Sequence, residues 1–240
     1  MAEPGSVIEE VRKALYSEAR VDLLHHPLEL SSEEGDLVIE GEVADVAAKK
    51  LALERAAAIP GVSAIVDRLR VAPSQRMGDD EIRDHVRDAL LEEPALATCT
   101  IEVRDKGQTL SVRALEPASG KITVAVAEGV VTLDGDVPGL AQKRLVGVLA
   151  WWVPGSRDVV NGLGVTPPEP DDDGQMTDGV RLALEKDPFV NADQIKVSTH
   201  DGIVTLQGIV RTPSEREMAE FDAWYVFGVD KVKNYIEVRA

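Results

Sequence analysis

The chain has 240 residues, 44% of them hydrophobic and 29% charged, which is an ordinary globular composition and leaves open one large domain or two to three small ones. Its 43 acidic against 26 basic side chains give a net charge of −17, which repels phosphate backbones and anionic surfaces and excludes sequence-independent nucleic-acid binding. One cysteine, Cys99, excludes an intramolecular disulfide and a multi-cysteine zinc site, and is expected as a small buried hydrophobe.

The first ten residues hold neither a basic segment followed by an apolar run nor a lipidation cysteine, which predicts a cytoplasmic protein. The longest apolar stretches, such as Leu145 to Val153, are far short of the roughly 20 residues that cross a bilayer, so no transmembrane helix is expected. Val7, Val11 and Leu15 lie at helical spacing and predict an amphipathic helix. Leu28-Glu-Leu30 and Gly35-Asp-Leu-Val-Ile-Glu-Gly41 then alternate as two strands joined through Glu34-Gly35, a β-hairpin whose glycine takes positive φ. Ala52, Ala56 and Ile59 mark one face of a second helix, Gly61 is read as its C′ residue, and Val62 to Val71 reads as a final strand. Pro73 to Gly78 is a linker.

The same order then returns twice. Gly35, Gly41 and Gly61 are separated by 6 and 20 residues, and so are Gly129, Gly135 and Gly155, and Gly202, Gly208 and Gly228. The hairpins are completed by Ile122-Thr-Val124-Ala-Val126 and Ile195-Lys-Val197. The second helices carry Val146, Ala150 and Val153 in one copy and Ala219, Ala223 and Val226 in the other. Ahead of the hairpins lie Ile82, Val86 and Leu90 in copy two and, less regularly, Val180, Leu182 and Leu184 in copy three. Leu90 to Ile122 spans 32 positions where Leu184 to Ile195 spans 11, so copy two holds an insertion, around 98–119, whose Thr100–Val103 and Thr109–Val112 flank Lys106-Gly107 as an extra hairpin or sheet extension. Three modules are expected over 5–72, 79–166 and 176–240, with Thr166 to Gln175 as the second linker. The nine glycines are read as structural: turns, strand kinks and helix caps.

The pattern Asp201-Gly-Ile-Val-Thr-Leu-Gln-Gly208, then Ala223, then Gly228-Val-Asp-Lys-Val-Lys-Asn234, resembles the BON domain of bacterial osmotically inducible and nodulation proteins. Copy three matches best, copy two well outside its insertion, and copy one diverges most, with Asp67 where the others have Asn161 and Asn234. The resemblance implies an α+β fold of αββαβ units, each a three-stranded sheet on two helices, with no catalytic site and no cofactor. It further implies a binding role in stress response, toward phospholipid in the bacterial envelope, with potassium binding in some members. The alternative kept beside it is a cytosolic protein–protein scaffold.

No catalytic or metal-binding constellation is visible: His25, His26, His85 and His200 stand in no metal or nucleophile motif. The run Asp171-Asp-Asp173-Gly174 lacks the alternating ligands of a calcium loop and reads as a solvated linker. The most informative surface candidates are Trp151 and Trp152 in copy two and Trp224 and Tyr225 in copy three, where copy one has Ala57 and Ala58. Two readings stand for them: a docking surface for a lipid surface, a protein partner or self-association, or burial between modules two and three.

Overall fold

Residues 4–239 are described in the computed structural model; residues 1–3 and Ala240, the last residue of the third module as read from sequence, lie outside them. Helix α1 (Pro4–Ser17) is followed by β1 (Leu28–Glu33) and β2 (Asp36–Val43), then α2 (Val46–Ala57) and β3 (Ile65–Val71). The second repeat is α3 (Asp79–Glu92), β4 (Cys99–Asp105), β5 (Gln108–Arg113), β6 (Gly120–Ala127), β7 (Val130–Val137), α4 (Leu140–Trp151), β8 (Asp158–Asn161) and the short β9 (Gly164–Val165). The third is α5 (Asp173–Lys186), β10 (Ile195–His200), β11 (Ile203–Val210), α6 (Pro213–Tyr225) and β12 (Lys231–Val238). Among the described residues no helix is long and apolar enough to cross a membrane.

Two sheets have three strands, ordered β1-β2-β3 and β10-β11-β12; the third has six, ordered β5-β4-β6-β7-β8 with β9 also on β7. In each repeat a hairpin is antiparallel and the strand after the second helix returns parallel to the hairpin's second strand. The insertion of copy two is the hairpin β4-β5, and β4 lies parallel on the outer edge of β6. Its turn, Lys106-Gly107, has positive φ at both residues, as do Glu34-Gly35, Glu128-Gly129 and Asp201-Gly202, which matches the strand twist that two-residue hairpins require.

Residues 1–72 and 73–240 form two compact units. The first closes on Val11 and Leu15 of α1, Ile39 of β2, Ala52 and Ala56 of α2 and Leu69 of β3, all fully buried. In the second unit, Ile82, Val86 and Leu90 of α3 pack with Ile101, Ile122, Val124, Leu133 and Val146. In α5 the inward face is Met176, Val180, Ala183 and Leu184; Leu182 is only half-buried, so helical register places Met176 where copy two has Ile82.

Gly61, Gly155 and Gly228 are not C′ residues. The helices end earlier, at Ala57, Trp151 and Tyr225, with Ala58, Trp152 and Val226 as C-caps. Pro60 and Pro154 disfavour helical backbone at the residue before them, and the chain closes a further tight turn before its strand, as in Val62 N–H to Ile59 C=O at 3.1 Å. Gly61 and Gly228 there have φ of +100° and +90°; Gly155 does not, and is small because a Cβ would lie 2.6 Å from Met77.

Gly135 shows the strand-kink role: its φ is +116° and a Cβ would lie 2.1 Å from the Lys121 carbonyl oxygen. Gly135→Ala is expected to cost about 2–3 kcal/mol in a urea melt, whereas Gly35→Ala, whose Cβ would meet nothing, costs about 1 kcal/mol.

Candidate functional site

Three of the four aromatic residues singled out by sequence, Trp151, Trp152 and Tyr225, converge within the second unit, on the seam where α4 of module two meets α5 and α6 of module three. Trp151 and Tyr225, both half-buried, stack at 5.7 Å between ring centroids with 12° between planes, and Phe221 continues the stack at 6.5 Å from Tyr225. Trp152 donates its indole N–H to Asp222 at 2.9 Å. Trp224 is 1% exposed. It therefore offers no surface to a ligand: α6 turns it inward beside Ala219, Asp222 and Ala223.

The polar half of the seam escaped sequence reading. Arg144 of α4 is 1% exposed, donates Nε–H to the Phe227 carbonyl at 3.2 Å and pairs with Asp171 at 2.5 Å. Gly179 makes room for it, since a Cβ there would lie 2.6 Å from Arg144 Cδ. Lys143 lies over the Phe227 ring at 4.6 Å, and Lys186 of α5 reaches the buried Glu93 at 2.8 Å. The available signals were an arginine entering the apolar run Leu145–Val153 and an aspartate inside Phe221-Asp-Ala-Trp224.

Asp222 is the unusual group. It is 3% exposed, and its Oδ2 finds no donor. Burial pushes its carboxyl up to about 8; the Trp152 hydrogen bond opposes the shift and the neighbouring Asp187 carboxylate adds to it. A protonated Asp222 still accepts from Trp152 and removes the repulsion from the Asp187 carboxylate.

The acidic run is not a loose solvated linker. Glu169 accepts the Leu140 N–H at the uncapped start of α4 at 2.9 Å, Asp171 holds Arg144, Asp172 caps α5 through the Gln175 N–H, and Asp173 accepts the N–H groups of Asp201 and Gly202. Each carboxylate meets a backbone donor or cation that would otherwise lack one. Asp79 does the same for Glu128 and Gly129 in module two. Asp173, His200 and Asp201 bring three ligand atoms within 4.8 Å of one another, but both Asp173 oxygens already serve amides. Cys99 is buried in the core of module two.

Compared with known families, the chain matches the BON domain over residues 6–73, 104–167 and 172–240. The chain belongs to the BON domain family. The first and third matches fall on whole helix-hairpin-helix-strand repeats, whereas the second begins inside the added hairpin and leaves out α3. Osmotically-inducible protein Y of Escherichia coli is 32% identical over 127 residues, which cover 50% of this chain and 63% of that protein, so the match spans less than two thirds of the relative. Two solved structures of CdsD, a structural protein of the type III secretion system of Chlamydia trachomatis, align at 13% identity over 100% and 98% of this chain, and 100% and 92% of theirs. Their TM-scores of 0.26 and 0.25 carry no argument about fold or function.

Proposed function

We propose that this BON-domain chain is a non-enzymatic binding protein of the osmotic stress response, in which modules two and three act as one body that docks protein partners. The observation that carries the reading is the destination of the aromatic pairs: residues suited to a lipid interface are used to lock one module onto the next. Two small modules held in fixed relation present a larger continuous surface than either alone, as a protein partner requires. The net charge of −17 favours partners with a basic face over anionic lipid. The stress-response part rests on the likeness to osmotically-inducible protein Y. The buried polar groups of the seam tie helix to helix, which supports a structural use for them over a catalytic one.

Phospholipid binding is the second reading, favoured by Phe189. It is 72% exposed and lines an open cleft of about 460 Å³ together with Pro188, Val190, Arg211 and Glu215, an apolar tip beside one cation and one carboxylate. Co-sedimentation with zwitterionic and with anionic vesicles tests the two. The full chain is expected to stay in the supernatant with both, while affinity capture from osmotically shocked cells recovers a protein whose yield falls when Trp151→Ala removes the stack across the seam. Sedimentation with vesicles that Phe189→Ala abolishes would transfer the assignment to phospholipid.

A further inference from the structure

The repeat allows one sheet edge to be compared between modules. In module two the outer edge of β6 carries β4, which pairs Cys99 with Gly120, Ile101 with Ile122 and Val103 with Val124. In module three the equivalent strand is β10, since Ile195 faces Gly208 across its hairpin as Ile122 faces Gly135. There β10 is the last strand of its sheet.

What holds β4 in place can be read residue by residue. Ile101 and Val103 are buried in the core of module two. Between them Glu102, on the other face of the strand, meets Lys121 at 2.9 Å and accepts from the Thr123 hydroxyl at 3.3 Å. At the end of the strand, Asp105 takes Arg83 of α3 at 3.0 Å. The occupant is apolar, acidic, apolar, with a second acid three residues on, and it meets cations on both sides of the sheet.

The β10 edge carries cations of its own, at positions other than those of Lys121 and Arg83, whose counterparts are Gln194 and Thr177. Lys196, exposed, stands at the position of Thr123. Arg181 of α5, the counterpart of Arg87, reaches the Val197 carbonyl at 3.5 Å; Asp178 is its neighbour at 3.4 Å. β10 itself contains no carboxylate, although the chain is strongly acidic. Module one differs here: Glu29 of β1 occupies the place of Lys196, so like charge disfavours an acidic strand there.

We propose that the edge of β10 is a docking site for an extended segment of a partner protein, added parallel to β10 and carrying an acidic residue between two apolar ones. Main-chain hydrogen bonds to the edge supply affinity, and Lys196 and Arg181 select the acidic segment. The inference rests on the protein-partner reading above and names the chemistry of that partner.

The probe is a labelled synthetic peptide with the sequence of residues 98–105, serine replacing Cys99, titrated into the full chain and followed by fluorescence anisotropy and amide exchange. Saturable binding with protection confined to β10 is expected. Lys196→Glu, at an exposed site, is expected to weaken it by about tenfold, and a peptide with lysine in place of its glutamate should recover binding to that variant. A peptide N-methylated on alternate backbone nitrogens should not bind. No saturation at millimolar peptide, or binding indifferent to Lys196→Glu and to N-methylation, overturns the edge site. If cell capture of a protein partner survives that result, only the edge proposal falls; if capture is absent as well, the protein-partner reading falls with it.

Discussion

Trp224→Ala is expected to lower the stability of the unit spanning residues 73–240 by about 3–5 kcal/mol, read as a fall in the urea midpoint. The side chain is 1% exposed and is the largest fully buried one among the described residues, so truncation leaves a void that close-packed surroundings only partly fill. Trp224→Phe, which keeps a ring, should lose less. Trp151 and Tyr225 make a half-buried stack, and a double-mutant cycle between them should return a coupling of only about 0.5–1.5 kcal/mol. If Trp224→Ala costs no more than either of these, the seam is not held by the buried ring.

Asp222→Asn is expected to stabilise the same unit at pH 8 and to leave it nearly unchanged at pH 4. The sign follows from the carboxyl being pushed up to about 8 by burial in the folded chain, while in the unfolded chain it titrates in the ordinary carboxylate range. Below that range it is protonated in both states and adds no pH dependence. As pH rises the unfolded state ionises first, so folded stability is lost progressively until the folded group ionises near 8, after which the loss is complete. The loss is on the order of 3–5 kcal/mol. Asparagine keeps an acceptor for Trp152 and supplies a permanent donor toward Asp187, without the ionisation. Denaturation curves at pH 4, 6 and 8 check this: parent and variant should diverge steadily with pH, and parallel curves would show that Asp222 does not carry a proton in the folded seam.

Much of the architecture was legible because it depends on local rules repeated three times. The glycines at the hairpin turns and strand kinks are forced by backbone conformation, and that requirement recurs at the same separation whatever the rest of the module does. Alternation along β7 and β11 likewise follows from one buried sheet face, whereas β2 buries Leu37, Val38 and Ile39 in a row. Helix ends were less legible, because a glycine after a proline can belong to the next turn as easily as to the cap. The acidic run was misread for a related reason: composition describes what carboxylates do in water, and here two helix starts and one hairpin turn lie within their reach.

The sequence by itself determined the repeat, the order of elements in each module, the added hairpin of module two and the family, since each is written in residues close together in the chain. Only the tertiary structure decided that Trp151 stacks on Tyr225, that Trp224 is buried, that Arg144 is buried across Gly179, and that Asp222 lies against Trp152 and Asp187. Those contacts join residues 35 to 74 positions apart, on helix faces that a single module leaves unpaired. Periodicity reports which face of a helix is apolar, but not which neighbour will cover it.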